Sequence, residues 1–168
     1  MVDNVIFIIA SIILILVGLY VYLFRNAINP NNKVISMSFK ESLDLTDLPI
    51  VTFYNNGCRY NFILDTGANL SVINSAISDS LKHEKVNAVG SVFGMEGNPT
   101  SVNYIKAPLE YKGTTYEELF QVIDMSTPFG RIKEESGVLL HGILGNAFFT
   151  KYKYVLDFEN LIAYSKHK

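Results

Sequence analysis

The segment Phe62-Ile63-Leu64-Asp65-Thr66-Gly67 constrains this chain more than any other. Three apolar residues lead straight into a carboxylate, and the carboxylate leads into a Thr-Gly turn. A carboxylate at the end of a buried strand costs free energy unless something pairs with it or uses it. Gly67 lets a second stretch of backbone come close, and Thr66 sets a hydroxyl beside the acid. The chain then returns to apolar sequence through Ala68-Asn69-Leu70-Ser71-Val72-Ile73. Asp-Thr-Gly is also ordinary turn chemistry, so a capping aspartate is the plain alternative.

The surrounding sequence reads as short strands and turns. Pro49 to Leu64 predicts a hairpin, with β-branched and aromatic residues at Ile50 to Tyr54, a turn at Asn55-Asn56-Gly57 and a return from Arg59 to Leu64. Ser75 to Lys82 is expected as a short helix. Val86 to Phe93 and Ser101 to Ala107 are expected as strands joined by the turn cluster Gly94 to Pro99. Leu109 to Tyr116 suggests another hairpin, leading into Leu119 to Ile123. Ser126 to Gly137 is polar and expected as a loop, Val138 to Leu144 as a strand interrupted at His141-Gly142, and Asn146 to Lys151 as a short helix. Tyr154 to Phe158 and Leu161 to Tyr164 form a last hairpin, on which Asp157 is expected at the surface. Such a pattern indicates an all-β barrel or sandwich. His141 is expected at a loop or edge and Phe148-Phe149 in the core.

The N-terminal quarter differs. Val5 to Phe24 holds no charged residue, and about twenty apolar residues in a helix span the ~30 Å hydrocarbon core of a bilayer. Tyr20 and Tyr22 suit the interface, and Arg25 can snorkel to head groups. Met1-Val2-Asp3-Asn4 lacks a basic start and no A-x-A cleavage site follows, so a retained anchor is expected rather than a signal peptide. Asp3 precedes the span and Arg25, Lys33 and Lys40 follow it, which puts the C-terminal part in the cytoplasm. Residues 1–25 are therefore read as a single-pass transmembrane helix in contact with lipid through 5–24. Residues 26–48 read as a linker with an N-terminal strand over Lys33 to Phe39 and a loop over Glu41 to Asp47, and 49–168 as the folded domain.

Composition narrows the chemistry. The net charge is -2 and no Lys/Arg patch stands out, so no nucleic-acid partner is expected. The single cysteine, Cys58, can form no internal disulfide, and His83, His141 and His167 are scattered, so no metal site and no cofactor are expected.

The run Phe62 to Ile73 resembles the active-site strand and loop of aspartic peptidases. With a single Asp-Thr-Gly in the chain, it resembles the single-domain, retropepsin-like branch. His141 to Phe149 resembles the strand and short helix found late in each such domain, with Ile143-Leu144-Gly145 as the apolar-apolar-Gly motif that threads behind the catalytic loop. The resemblance runs from about Pro49 to Ser165. It implies a closed barrel or sandwich with a flap hairpin and one or two short helices, and a membrane-anchored, bacterial-type member of the family. It also implies catalysis by Asp65, loop support from Thr66, Gly67 and Ala68, and a flap containing Phe93, Gly94, Met95 and Gly97 over the substrate. In the family the paired Thr hydroxyls bond across a dimer interface.

This chain departs from the pattern at two places. Many relatives carry Ser where Ala68 stands; without that hydroxyl the paired carboxyls should titrate higher, giving an optimum from mildly acidic to near neutral. Retroviral relatives carry an acid and an arginine where Asn69 and Asn146 stand, so an amide pair is expected in place of an ion pair, with a weaker dimer that a shared bilayer offsets through effective concentration.

Amide hydrolysis without a metal or a covalent intermediate needs an activated water and an acid, which two carboxyls sharing one proton supply. One Asp65 per chain therefore implies a homodimer. The expected function is a membrane-anchored aspartic endopeptidase acting on an extended peptide or protein segment. A non-catalytic domain of the same fold, binding peptide or dimerising at the membrane, is the alternative. A scaffold protein with an accessory β-domain is a third reading.

Overall fold

The computed structural model describes residues 13–20, 36–93 and 99–166, and the side chains of 87–101 are not described. The chain divides into two compact units, Met1–Lys33 and Val34–Lys168. In the first, residues 13–20 are helical (α1) and their large apolar side chains are exposed. Among the described residues no helix is long and apolar enough to cross a membrane. The rest of the expected span over 5–24 lies outside the described residues.

The second unit contains the helices α2 (Phe39–Thr46), α3 (Ser126–Ser136) and α4 (Asn146–Tyr152) and a 3-10 turn over Ser75–Ser80. Its strands are β1 (Ile50–Asn55), β2 (Cys58–Leu64), β3 (Ser71–Asn74), β4 (Glu84–Phe93), β5 (Pro99–Tyr111), β6 (Thr114–Ile123), β7 (Gly142–Leu144), β8 (Tyr154–Asp157) and β9 (Ile162–Ser165). The first hairpin turns at Asn56-Gly57, both at positive φ (50° and 78°), the geometry that matches the twist of two-residue hairpins.

The sheet order is β1-β2-β7-β3-β6-β5-β4, and β1 also pairs with β5 at Tyr54↔Glu110. That second pairing closes six strands into a barrel and leaves β4 outside it. β8 and β9 form a separate two-stranded sheet. β7 runs parallel to β2 and antiparallel to β3, so it lies between the two strands that flank the Asp65 turn. Glycine is what lets it fit: a Cβ on Gly142 would collide with Val72 O and the Phe62 ring.

The barrel interior is aromatic. Phe53 is fully buried and has ring neighbours Phe62, Tyr111, Tyr116 and Phe148 at 5.1–6.0 Å. Removing such a ring from water contributes about 1.5–3 kcal/mol. Phe148 and Phe149 are both buried, as expected.

Several expectations are corrected. Residues 36–38 form no strand, and the expected loop over Glu41 to Asp47 is mostly α2. A capping box starts that helix: Ser38 Oγ accepts from Glu41 N–H at 3.3 Å, and the Glu41 carboxylate accepts from Ser38 N–H at 3.0 Å. The expected loop over Ser126 to Gly137 is α3, whose Phe129 is buried and which ends at Gly137 with φ 75°. Pro128 sits in its first turn, where a missing N–H costs nothing. The expected strand Val138 to Leu144 shortens to β7.

His141 lies in the loop that leads into β7, as expected, but it is buried, at 1% exposure. Asn61 N–H donates to its Nδ1 at 2.9 Å, and His141 N–H donates to Asn61 O at 2.9 Å. Thr52 donates to Asn61 Oδ1 at 2.6 Å, so a buried polar chain crosses β1, β2 and the approach to β7.

Candidate active site

Asp65 is the first residue past β2 and is half-buried, while Thr66 and Gly67 are exposed. Its backbone N–H donates to Leu144 O at 3.0 Å, which ties the carboxylate's own residue to the end of β7. Its Oδ1 accepts from Gly67 N–H at 2.8 Å, the Asx-type bond a Thr-Gly turn makes available. A Cβ on Gly67 would stand 3.2 Å from that same oxygen, so glycine keeps the carboxylate clear.

The loop is held from behind by the turn that starts α4. Asn146 N–H donates to Ala68 O at 2.6 Å and Ala147 N–H to Asn69 O at 3.1 Å. A Cβ on Gly145 would lie 2.5 Å from Leu70 O and 2.8 Å from Ala68 O, so this approach is open to glycine alone. Ile143, Leu144 and Gly145 thus stand directly behind Asp65, Thr66, Gly67 and Ala68. The side chains of Asn69 and Asn146 are both exposed. Backbone bonds join the two segments; the expected amide pair is not among the hydrogen bonds of the described residues.

A cleft of about 440 Å³ opens beside the carboxylate, walled by Asp65 and Thr66 together with Pro49, Leu64, Phe149 and Leu156. Its rim carries Phe158, 58% exposed at the tip of the β8–β9 hairpin. An acid at the mouth of an apolar cleft can exchange protons with a bound amide or water. Among the described residues no group of His, Cys, Asp or Glu is placed to hold a metal ion.

Of the expected flap residues, Phe93 pairs with Pro99 at the end of the β4–β5 hairpin. Gly94, Met95 and Gly97 lie outside the described residues. Sequence reasoning did not single out Ser71 or Glu118. Both are buried, and Ser71 Oγ donates to Glu118 Oε1 at 2.7 Å while accepting Gly145 N–H at 3.1 Å. Asp157, expected at the surface, accepts from Asn160 N–H at 2.8 Å and organises the last turn.

No protein-family model matches the chain, and no curated protein does. Among solved structures, it matches the retroviral protease-like domain of Ddi1 from Leishmania major with a TM-score of 0.53, at 14% identity, covering 80% of this chain and 91% of that one. The fold is that of a retroviral protease-like domain. EIAV protease complexed with the inhibitor HBY-793 also matches, at 22% identity and a TM-score of 0.46, over 62% of this chain and 86% of that one. In this retroviral protease-like fold, Asp65 stands at the end of an inner strand and β7 passes behind it.

Proposed function

We propose that this chain is an aspartic endopeptidase that works as a homodimer, hydrolysing peptide bonds in extended segments, with residues 5–24 as its membrane anchor. The observation that carries the reading is Asp65 at an apolar cleft, fixed through Leu144 O and Gly67 N–H in a retroviral protease-like fold. A turn braced by this many backbone bonds is more than a capping aspartate requires. The apolar wall and the exposed Phe158 and Ile162 on the β8–β9 hairpin support association with a second copy.

In the dimer, two Asp65 carboxyls face one another across the two-fold axis and share one proton, because two like charges at contact distance disfavour double ionisation. The ionised member takes a proton from water, and the resulting hydroxide adds to the scissile carbonyl carbon. The protonated member donates to the carbonyl oxygen. Collapse of the tetrahedral species breaks the C–N bond, with a proton delivered to the leaving nitrogen.

Asp65→Asn tests this directly. The full-length protein should cleave members of a randomised peptide library, and the variant should lose that activity at least ~10³-fold while keeping its fold and self-association. Cleavage at an unchanged rate excludes Asp65 as the catalytic carboxyl and with it the aspartic-peptidase reading. A wild-type chain that binds library peptides and cleaves none favours a peptide-binding domain of the same fold.

A further inference from the structure

Among the described residues Glu118 is the one Asp, Glu, Lys or Arg side chain that is buried, at 3% exposure. It sits on β6 opposite Ala107 of β5. Burial pushes its carboxyl above the usual carboxylate range, against the pull of the Ser71 hydroxyl and of Lys151. A carboxyl in such a place is costly unless its hydrogen bonds give something back.

Its bond leads to the Asp65 loop. Ser71 spends its single proton on Glu118 Oε1 at 2.7 Å and offers a lone pair to Gly145 N–H at 3.1 Å. The hydroxyl is therefore oriented from both ends. Gly145 is the pivot of the turn that holds the loop. The residue before it, Leu144, accepts Asp65 N–H, and the two after it, Asn146 and Ala147, donate to Ala68 O and Asn69 O. Gly145 has no side chain with which to hold its own position, and the 2.5 Å from its Cβ position to Leu70 O leaves no room for one. Ser71 and Glu118 supply that hold from β3 and β6.

We propose that Glu118 is a positioning residue for Asp65, acting through Ser71 and the Gly145 turn to fix where the carboxylate stands. The consequence for catalysis rests on the peptidase reading; the consequence for the loop does not. A displacement of about 1 Å in a reacting group can cost roughly 10²-fold in rate. Loss of the relay therefore reads out in kcat rather than in substrate binding.

The experiment uses the full-length protein with Ser71→Ala, Glu118→Leu and Glu118→Gln. Glutamine keeps an oxygen able to accept from Ser71, so it is the conservative rescue. Two readouts are taken: kcat and KM on a cleaved library peptide, and amide hydrogen exchange. Ser71→Ala and Glu118→Leu should lower kcat about 10–100-fold with KM within about 3-fold, and Glu118→Gln should stay near wild type. Exchange at the Asn146 and Ala147 amides should speed up about 10-fold or more in the first two variants, while the β5–β6 amides keep their protection. Unchanged exchange at Asn146 and Ala147 in Ser71→Ala overturns the proposal. So does a loss of kcat that Glu118→Gln does not rescue, or a loss of protection spread evenly over the barrel. If the wild type cleaves nothing, the peptidase reading fails alone, and exchange still decides whether the relay holds the loop.

Discussion

His141 carries the clearest pH dependence in the barrel. Burial lowers its pKa from 6.5 to about 4, and Asn61 N–H points at Nδ1, a bond that only the neutral ring can accept. The unfolded chain binds this proton near pH 6.5 and the folded chain does not, so the unfolded state holds more protons between those values. Stability is therefore fully present above about pH 6.5 and falls as pH drops toward 4, by roughly 3 kcal/mol at most. Urea unfolding at pH 7.5 and pH 5 should differ by about 2 kcal/mol in the wild type, and His141→Gln should remove most of that difference. Equal slopes in the two proteins would contradict this. The same histidine marks what single residues reveal in a sequence. Asp65 was legible because its apolar approach and its Thr-Gly turn are consecutive. His141 beside Gly142 looks like a loop, and its burial follows only from Asn61, eighty residues away. Ser71 and Glu118 were illegible for the same reason: their bond joins residues 47 apart, and nothing local to either announces the other.

The β7–α4 connection is where the barrel and the carboxylate loop meet, and its glycine, Gly145, is under the opposite demand from Gly130 of α3. Gly145→Ala should lower stability by about 1–3 kcal/mol, since the added methyl meets the Leu70 and Ala68 carbonyls, which are backbone and cannot swing aside. Gly130→Ala, inside α3 with nothing within 4 Å of the new Cβ, should raise stability by about 0.5–1 kcal/mol. Denaturation midpoints of the two variants moving in the same direction would contradict the close approach at Gly145. Strands and hairpins were the readable elements, because Asn56-Gly57 and Lys112-Gly113 punctuate alternating apolar runs. The missed helices left signals of their own. Ser38 and Glu41 stand at capping-box spacing. In α3, Phe129 and Ile132 face the core at helical spacing ahead of Gly137, with polar residues between them that mask the pattern. Polar composition reads as loop only when spacing is ignored.

The molecule as a whole presents one Asp65 per chain, at the wall of a cleft of about 440 Å³. Phe158, Ile162 and Tyr164 of the β8–β9 hairpin are exposed, and in the proposed function a second copy covers them. If each site takes one carboxyl from each of two chains, activity depends on the fraction of dimers in which both are intact. Full-length wild type is mixed with full-length Asp65→Asn at constant total protein, subunits are allowed to exchange, and cleavage of a library peptide is followed. The rate should fall as the square of the wild-type fraction, to about one quarter at an equal mixture. A rate that falls only in proportion to that fraction, to half at the same point, would mean that each chain hydrolyses peptide bonds by itself and would contradict the shared site.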